Sequence, residues 1–157
     1  MGRPILCLDF DGVLHSYESG WKGAAEIPDL PVDGAIAFLL QAMGRFTVCI
    51  YSSRSHQWGG KRAMRRWLQN HIMREMADTL FRQKPLWLRE LVTAEYDNAA
   101  PYDLNLRELA AVVVKRIEFP KFKPPALVTL DDRAIQFKGD FPDLDEIEEF
   151  KPWNKKP

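Results

Sequence analysis

The chain has 157 residues, the length of one domain, with 46% hydrophobic and 28% charged residues, a balance that excludes a disordered chain and allows a proper core. Its 22 lysines and arginines match its 22 aspartates and glutamates, which excludes a dedicated nucleic-acid coat or a polybasic membrane binder but not a local basic patch. No apolar run approaches the roughly 18 residues a membrane span needs, and the start Met-Gly-Arg-Pro has no signal-peptide core and no Ser or Thr at Leu6 for a myristoylation pattern, so a cytoplasmic chain with no membrane partner is expected.

Taken in chain order, Ile5 to Leu8 is a short apolar run that stops at Asp9, the mark of a buried strand. Gly12 follows, where the chain must turn. Residues 15–32 hold scattered Gly and Pro without a period and read as a long loop or flap. Asp33 is placed to cap a helix whose Ile36, Leu39, Leu40 and Met43 share a face, and Gly44 ends it. Phe46 to Tyr51 predicts a second buried strand, stopping at Ser52.

Gly59-Gly60 then precedes a helix with Met64, Trp67, Leu68 and Ile72 on one side and Lys61, Arg62, Arg65 and Arg66 on the other. Residues 79–115 read as helical again, with Pro85 suited to a first turn and Leu106, Leu109, Ala110 and Val113 at helical spacing. Arg116 to Phe119 reads as a short strand, and Pro120, Pro124 and Pro125 break regular structure. Ala126 to Leu130 predicts another buried strand, stopping at Asp131, and Ile135 to Phe137 a last short one. Leu144, Ile147 and Phe150 suggest a closing helix, and Lys151 to Pro157 a frayed, flexible tail. Cys7 and Cys49 sit inside apolar runs, as buried free thiols do, rather than at the spacing of a disulfide framework or zinc site.

Strands alternating with helices predict an α/β fold with a mainly parallel sheet covered on both faces. Ligands of such sheets bind beyond the carboxyl ends of the strands. Three apolar runs end in Asp9, Ser52 and Asp131-Asp132, so polar residues from distant segments converge on one sheet edge. Gathering Asp9, Asp11, Asp131 and Asp132 is costly unless a cation shares them. Carboxylate oxygens without His or Cys favour Mg2+ over zinc. A strand-end carboxylate beside Mg2+ can attack phosphorus to give an aspartyl-phosphate, and a second acid can move the protons. Ser52 and a lysine ahead of Asp131 can supply the hydroxyl and ammonium that such a phosphate needs.

The composite Asp9-Phe10-Asp11-Gly12-Val13-Leu14, Ser52, Lys123 and Asp131-Asp132 resembles the haloacid dehalogenase-like superfamily of phosphohydrolases, with four motifs in the family's order across residues 9–132. The resemblance implies a Rossmann-like three-layer α/β/α sandwich, one domain over residues 1–157. It implies Asp9 as nucleophile and Mg2+ ligand, and Asp11 as general acid/base with its carbonyl on the metal. It further implies Ser52 as a phosphoryl hydrogen-bond donor, Lys123 as the neutralising cation, and Asp131 and Asp132 as ligands of Mg2+. An acid at Asp11 points to a phosphatase or phosphotransferase rather than a carbon–halogen hydrolase.

Plainer readings stand beside these. Asp-Gly marks many ordinary turns, Ser52 can be a helix cap, and Lys123 can be a surface lysine. Ser53 competes with Ser52, and Lys121 with Lys123. Arg54 and Ser53 are candidates to contact the phosphate. Arg133 is expected to brace the acid loop, His15 to lie at the surface, and Trp58 either to stack on a substrate ring or to pack. The spacing from Asp11 to Ser52 leaves no room for a cap, whereas residues 77–115 read as a small helical insertion that covers the pocket in part or forms a homo-oligomer contact. The open pocket suits a phosphorylated small molecule, a nucleotide or a nucleic-acid end. The alternatives to hydrolysis are transfer to an alcohol, or a catalytically weak metal- and phosphate-binding module with the same fold.

Overall fold

The computed structural model describes residues 2–83 and 100–155. The first two apolar runs form strands β1 (Ile5–Leu8) and β2 (Thr47–Ile50), paired in parallel with Leu8 opposite Ile50. Strand β3 (Val128–Leu130) pairs in parallel with the other edge of β1, again with Leu8 opposite, here to Leu130. The order β2-β1-β3 puts the first strand in the middle of a small three-stranded parallel sheet. The chain therefore leaves β1 to one side and returns to the other, creating a crevice at the carboxyl end of β1.

Helices α1 (Ala35–Ala42), α2 (Gly60–Gln83), α3 (Ala100–Lys115) and α4 (Leu144–Glu148) complete the α/β architecture, with 3₁₀ turns at Ser53–His56 and Trp153–Lys155. The helical periods read from the sequence set the packing. Ile36 and Leu39 of α1 and Met64, Trp67, Leu68 and Ile72 of α2 join Leu6, Leu8, Phe10 and Ile50 in one core. Among the described residues no helix is long and apolar enough to cross a membrane. Both cysteines are free and buried side by side, with Cys7 opposite Cys49 across the β1–β2 ladder.

Several expectations are corrected. The N-cap of α1 is Gly34, at φ 75° and without a side-chain hydrogen bond, in place of Asp33; a left-handed entry suits Gly. Helix α3 buries Ala110 and Val114 and leaves Leu109 exposed, so its packed stripe is rotated from the one expected. Arg116 to Phe119 forms no strand: its pairing is one isolated bridge, Cys49 to Glu118. Ile135 to Phe137 is not a strand either, and both of these residues are exposed, since an extended segment becomes a strand only where an edge pairs with it. Strand β3 is exposed rather than buried along its whole length, because its main packing partner among the described residues is β1. The tail is anchored: Trp153 Nε1 donates to Gly12 O at 2.7 Å and Asn154 Nδ2 to Ser16 O at 3.2 Å. Pro85 and the middle of the 77–115 segment lie outside the described residues.

The sheet makes both thiols poor nucleophiles. Burial raises the Cys7 thiol above its usual range. Burial, then the hydrogen bond to Glu118 and its charge, push Cys49 up to about 12. Since the thiolate is the reactive form, neither cysteine is expected to react with iodoacetamide at pH 8 in the folded protein, while both react in denaturant. Mass spectrometry of the alkylated protein checks this, and rapid native labelling of either would contradict the packing of β1 on β2.

Candidate functional site

The parallel ladders fix what happens where the strands stop. Asp9 N donates to Leu130 O at 2.9 Å and Tyr51 N to Leu8 O at 3.0 Å. Asp9, Tyr51 and Asp131 therefore leave the sheet side by side. They open a cavity of about 270 Å³ lined by Asp9, Asp11, Tyr17, Tyr51, Ser52, Ser53, Asp131 and Arg133. Of the expected site residues, Asp9, Asp11, Ser52, Ser53 and Asp131 share this lining.

Asp9, Asp131 and Asp132 each bring one carboxylate oxygen within 4.8 Å of the others. Asp132 is the most constrained. Its side chain is 1% exposed, and both oxygens are buried without a hydrogen-bond partner, with Arg133 Nε 3.9 Å away. The carboxylate lies over Gly12, where an added Cβ would come 2.4 Å from Asp132 Oδ2 and where φ is +86°. The Gly of the first motif is thus required by its backbone and by its neighbour. Burial above all pushes the Asp9 carboxyl up to about 7; the charges of Asp131, Asp132 and Asp11 add to this, against a 2.7 Å hydrogen bond from Phe10 N. Asp132 is raised as well, by burial first and by Asp131 and Asp11, with Arg133 opposing. The three converging carboxylates form a donor set of oxygens alone, with no His or Cys among them, and those of Asp132 have no hydrogen-bond partner.

Asp11 has the opposite environment. Arg54 Nε donates to Asp11 Oδ2 at 2.8 Å and to Oδ1 at 3.1 Å. His15 Nδ1 lies 2.8 Å from Oδ1, and Asp29 N donates to His15 Nε2 at 3.2 Å. Because Nε2 accepts, Nδ1 carries the proton and donates to Asp11. Burial raises the Asp11 carboxyl, but the His15 and Arg54 hydrogen bonds and the Arg54 charge outweigh it and hold the group below the usual carboxylate range. His15 is fully buried, corrected from a surface position, and packs against Phe10 and the edge of Trp67. Arg54 is also fully buried, and its Nη1 donates to the carbonyls of Gly23, Ala24 and Glu26. It braces Asp11 and the flap through Nε and Nη1, while its Nη2 is buried without a hydrogen-bond partner.

Ser52 is both a cap and a cavity residue. Its side chain accepts from Arg54 N at 3.4 Å, and Ser52 N donates to Ser55 Oγ at 3.2 Å, a capping box on the 3₁₀ turn. Its hydroxyl proton remains available for an acceptor in the cavity. Lys123 is exposed and does not line the cavity. The cation in the lining is Arg133, whose backbone N also donates to Asp131 Oδ1 at 2.8 Å. Tyr17 and Tyr51 were not among the expected site residues. Tyr51 directly precedes Ser52, a position that could have flagged it. Tyr17 sits in the flap at φ 60°, which no local signal announces.

No protein-family model matches the chain, nor does any curated protein or solved structure.

The Asp11–Arg54 pair generates a stability prediction. Removing one partner of a buried pair leaves the other charge uncompensated, at a cost of about 3–5 kcal/mol. Arg54→Met is expected to lower unfolding stability by about that amount at pH 7. The folded-state value for Asp11 is depressed, so the pair's contribution is present above the ordinary Asp range and fades as pH falls through the folded value. The gap between wild type and Arg54→Met should therefore narrow below about pH 4. Urea midpoints from pH 7 down to 3 read this directly, and a gap independent of pH would contradict it.

Proposed function

We propose that this chain is a Mg2+-dependent phosphomonoester hydrolase working through an aspartyl-phosphate on Asp9, in a Rossmann-like three-layer fold of the haloacid dehalogenase-like kind. One observation carries the reading: Asp9, Asp131 and Asp132, from the ends of β1 and β3, place carboxylate oxygens within 4.8 Å of one another beside a cavity that Ser52 reaches from β2. Three acids, the Ser52 and Ser53 hydroxyls and the Arg133 guanidinium line the cavity, a polar wall that suits a phosphoryl group bound together with a divalent cation better than an apolar ligand.

Asp9, Asp131 and Asp132 would hold the Mg2+, which neutralises charge on the phosphoryl oxygens and on the acids themselves. Asp9 attacks phosphorus in line, forming the acyl-phosphate as the P–O ester bond breaks and the departing oxygen takes a proton from Asp11, which must enter this step protonated and released from Arg54. The Ser52 hydroxyl donates to a non-bridging oxygen, Ser53 lines the same wall, and Arg133 supplies positive charge from the lining. Asp11 then takes a proton from the water that attacks the acyl-phosphate, a step suited to a carboxylate kept ionised by Arg54 and His15. Tyr17 and Tyr51 line the same cavity, and aromatic lining suits a nucleoside or nucleic-acid end.

The same clamp on Asp11 favours a second reading. A carboxyl held ionised is a poor donor to a departing alkoxide, so a chain that never releases Asp11 from Arg54 is a metal- and phosphate-binding module with weak turnover. Leaving groups separate the two. A nitrophenolate leaves without a proton and an alkoxide does not.

Two outcomes are expected. Phosphate release from 4-nitrophenyl phosphate should require Mg2+, stop with EDTA, and fall by about a thousandfold or more in Asp9→Asn; turnover that survives this substitution removes Asp9 as the nucleophile. In Asp11→Asn, kcat/KM for an alkyl phosphate should fall by about 100-fold or more, and for 4-nitrophenyl phosphate by much less. Equal losses would mean that Asp11 acts only through structure. A wild type inert to alkyl phosphates would favour the binding module.

A further inference from the structure

The neutral net charge conceals a segregation along the chain. From residue 34 to residue 74 there are seven arginines and lysines and no acid, whereas residues 140–149 alone hold six acids. On α2 the cations face outward: Arg62, Arg65 and Arg66 are exposed, opposite the buried Met64 and Leu68. Two of the basic side chains there are committed. Arg65 stacks over the Phe119 ring at 4.7 Å, and Lys61 Nζ donates to Phe119 O at 2.7 Å. Arg62 and Arg66, one turn apart, make no ion pair among the described residues. With Ala25, Trp58, Gly59 and Ala63 they line a second cavity of about 490 Å³.

Trp58 is the largest exposed aromatic surface of the described residues, at 95%. Its loop is nonetheless held firmly. A Cβ on Gly60 would lie 2.1 Å from Arg54 O, and Gly60 N donates to Gln57 O at 3.1 Å. An indole presented on a fixed turn, beside two uncommitted guanidinium groups and no carboxylate, has the chemistry of a surface for stacked bases and phosphates. The 3₁₀ turn Ser53–His56 separates it from Ser52.

We propose that the Trp58–Arg62–Arg66 groove is a strand subsite that holds the nucleotides next to the terminal phosphate of a single-stranded nucleic acid, with Trp58 stacked on a base and the two arginines on backbone phosphates. The inference rests on the phosphomonoesterase reading for its terminal phosphate, and it narrows the substrate class to phosphorylated oligonucleotide ends. An acidic polypeptide would satisfy the arginines but gives Trp58 no ring to stack on.

Binding and turnover test it separately. A short fluorescein-labelled single-stranded DNA with a terminal phosphate is titrated by anisotropy into the Asp9→Asn protein and into the same protein carrying further changes. Trp58→Ala should weaken binding about five- to a hundredfold, with Trp58→Phe retaining most of the affinity. Arg62→Ala with Arg66→Ala should lower the slope of log affinity against log salt by about 1.4. In the protein with Asp9 intact, these surface changes should leave 4-nitrophenyl phosphate turnover unchanged, and should lower kcat/KM for the oligonucleotide relative to a mononucleotide. Oligonucleotide binding indifferent to both sets of changes overturns the subsite, as does polyglutamate binding as tightly. If no phosphate is released from any substrate but DNA binding still depends on Trp58, the subsite stands and the phosphatase reading has failed.

Discussion

The register at Leu8 is the constraint from which the site follows. Leu8 pairs with Ile50 on one side and Leu130 on the other. In a parallel ladder this decides which residue of each strand steps off the sheet first, and here the three are Asp9, Tyr51 and Asp131. A one-residue slip would turn every side chain of a strand to the other face. Slippage of β1 is opposed because Leu6, Cys7 and Leu8 are all buried, and a one-residue shift would draw the Asp9 carboxylate into the place of Leu8. The position of the polar residues is therefore decided by apolar packing that precedes them in the chain and takes no part in their chemistry.

Around that edge, four carboxyl groups are sorted into two environments. Asp11 meets a buried guanidinium and an imidazole, and its carboxyl is held low. Asp9 and Asp132 meet burial and each other, and theirs are raised. Groups of one chemical type whose environments push their proton affinities apart are the usual means by which a site separates an acid/base from a ligand or nucleophile. Arg54 is central to the sorting. Its Nε fixes Asp11, its Nη1 fixes three carbonyls of the flap, and the Trp21 ring covers its guanidinium at 4.6 Å. The loop over the cavity and the Asp11 carboxylate are thus tied to one side chain.

Much of this was legible in the residues. The apolar runs that stop at Asp9, Ser52 and Asp131 located the sheet edge, and the period of Met64, Trp67, Leu68 and Ile72 located the buried face of α2. Burial within loops was not legible. His15 and Arg54 sit in segments without apolar periodicity, and polar residues there read as solvent-facing. What buries them is Phe10, Trp67 and the flap, contacts between segments that no local pattern encodes. Strand β3 fails for a related reason: a short apolar run specifies an extended segment but not whether anything covers it. The tail contact of Trp153 with Gly12 spans almost the whole chain, beyond the reach of any windowed reading. Motif order and chemistry suggested a superfamily, while the geometry contributes the clustering of the acids and the α/β sheet.

The two halves of the acid cluster are held by different forces. Asp9 follows a strand buried on all sides, so its backbone is fixed by hydrophobic packing. Asp131 and Asp132 follow an exposed three-residue strand whose place depends on ladder hydrogen bonds to β1, among them Leu127 N to Ile5 O and Asp9 N to Leu130 O, each 2.9 Å. Three converging carboxylates push β3 away from β1, and little apolar area resists. A ligand that bridges Asp9 to Asp131 and Asp132 binds only the docked strand, and by mass action it stabilises that arrangement. In the proposed reading, the side of the sheet with the least packing is thus the side where a shared cation would add most to the fold, and the order of the site would be coupled to its occupancy.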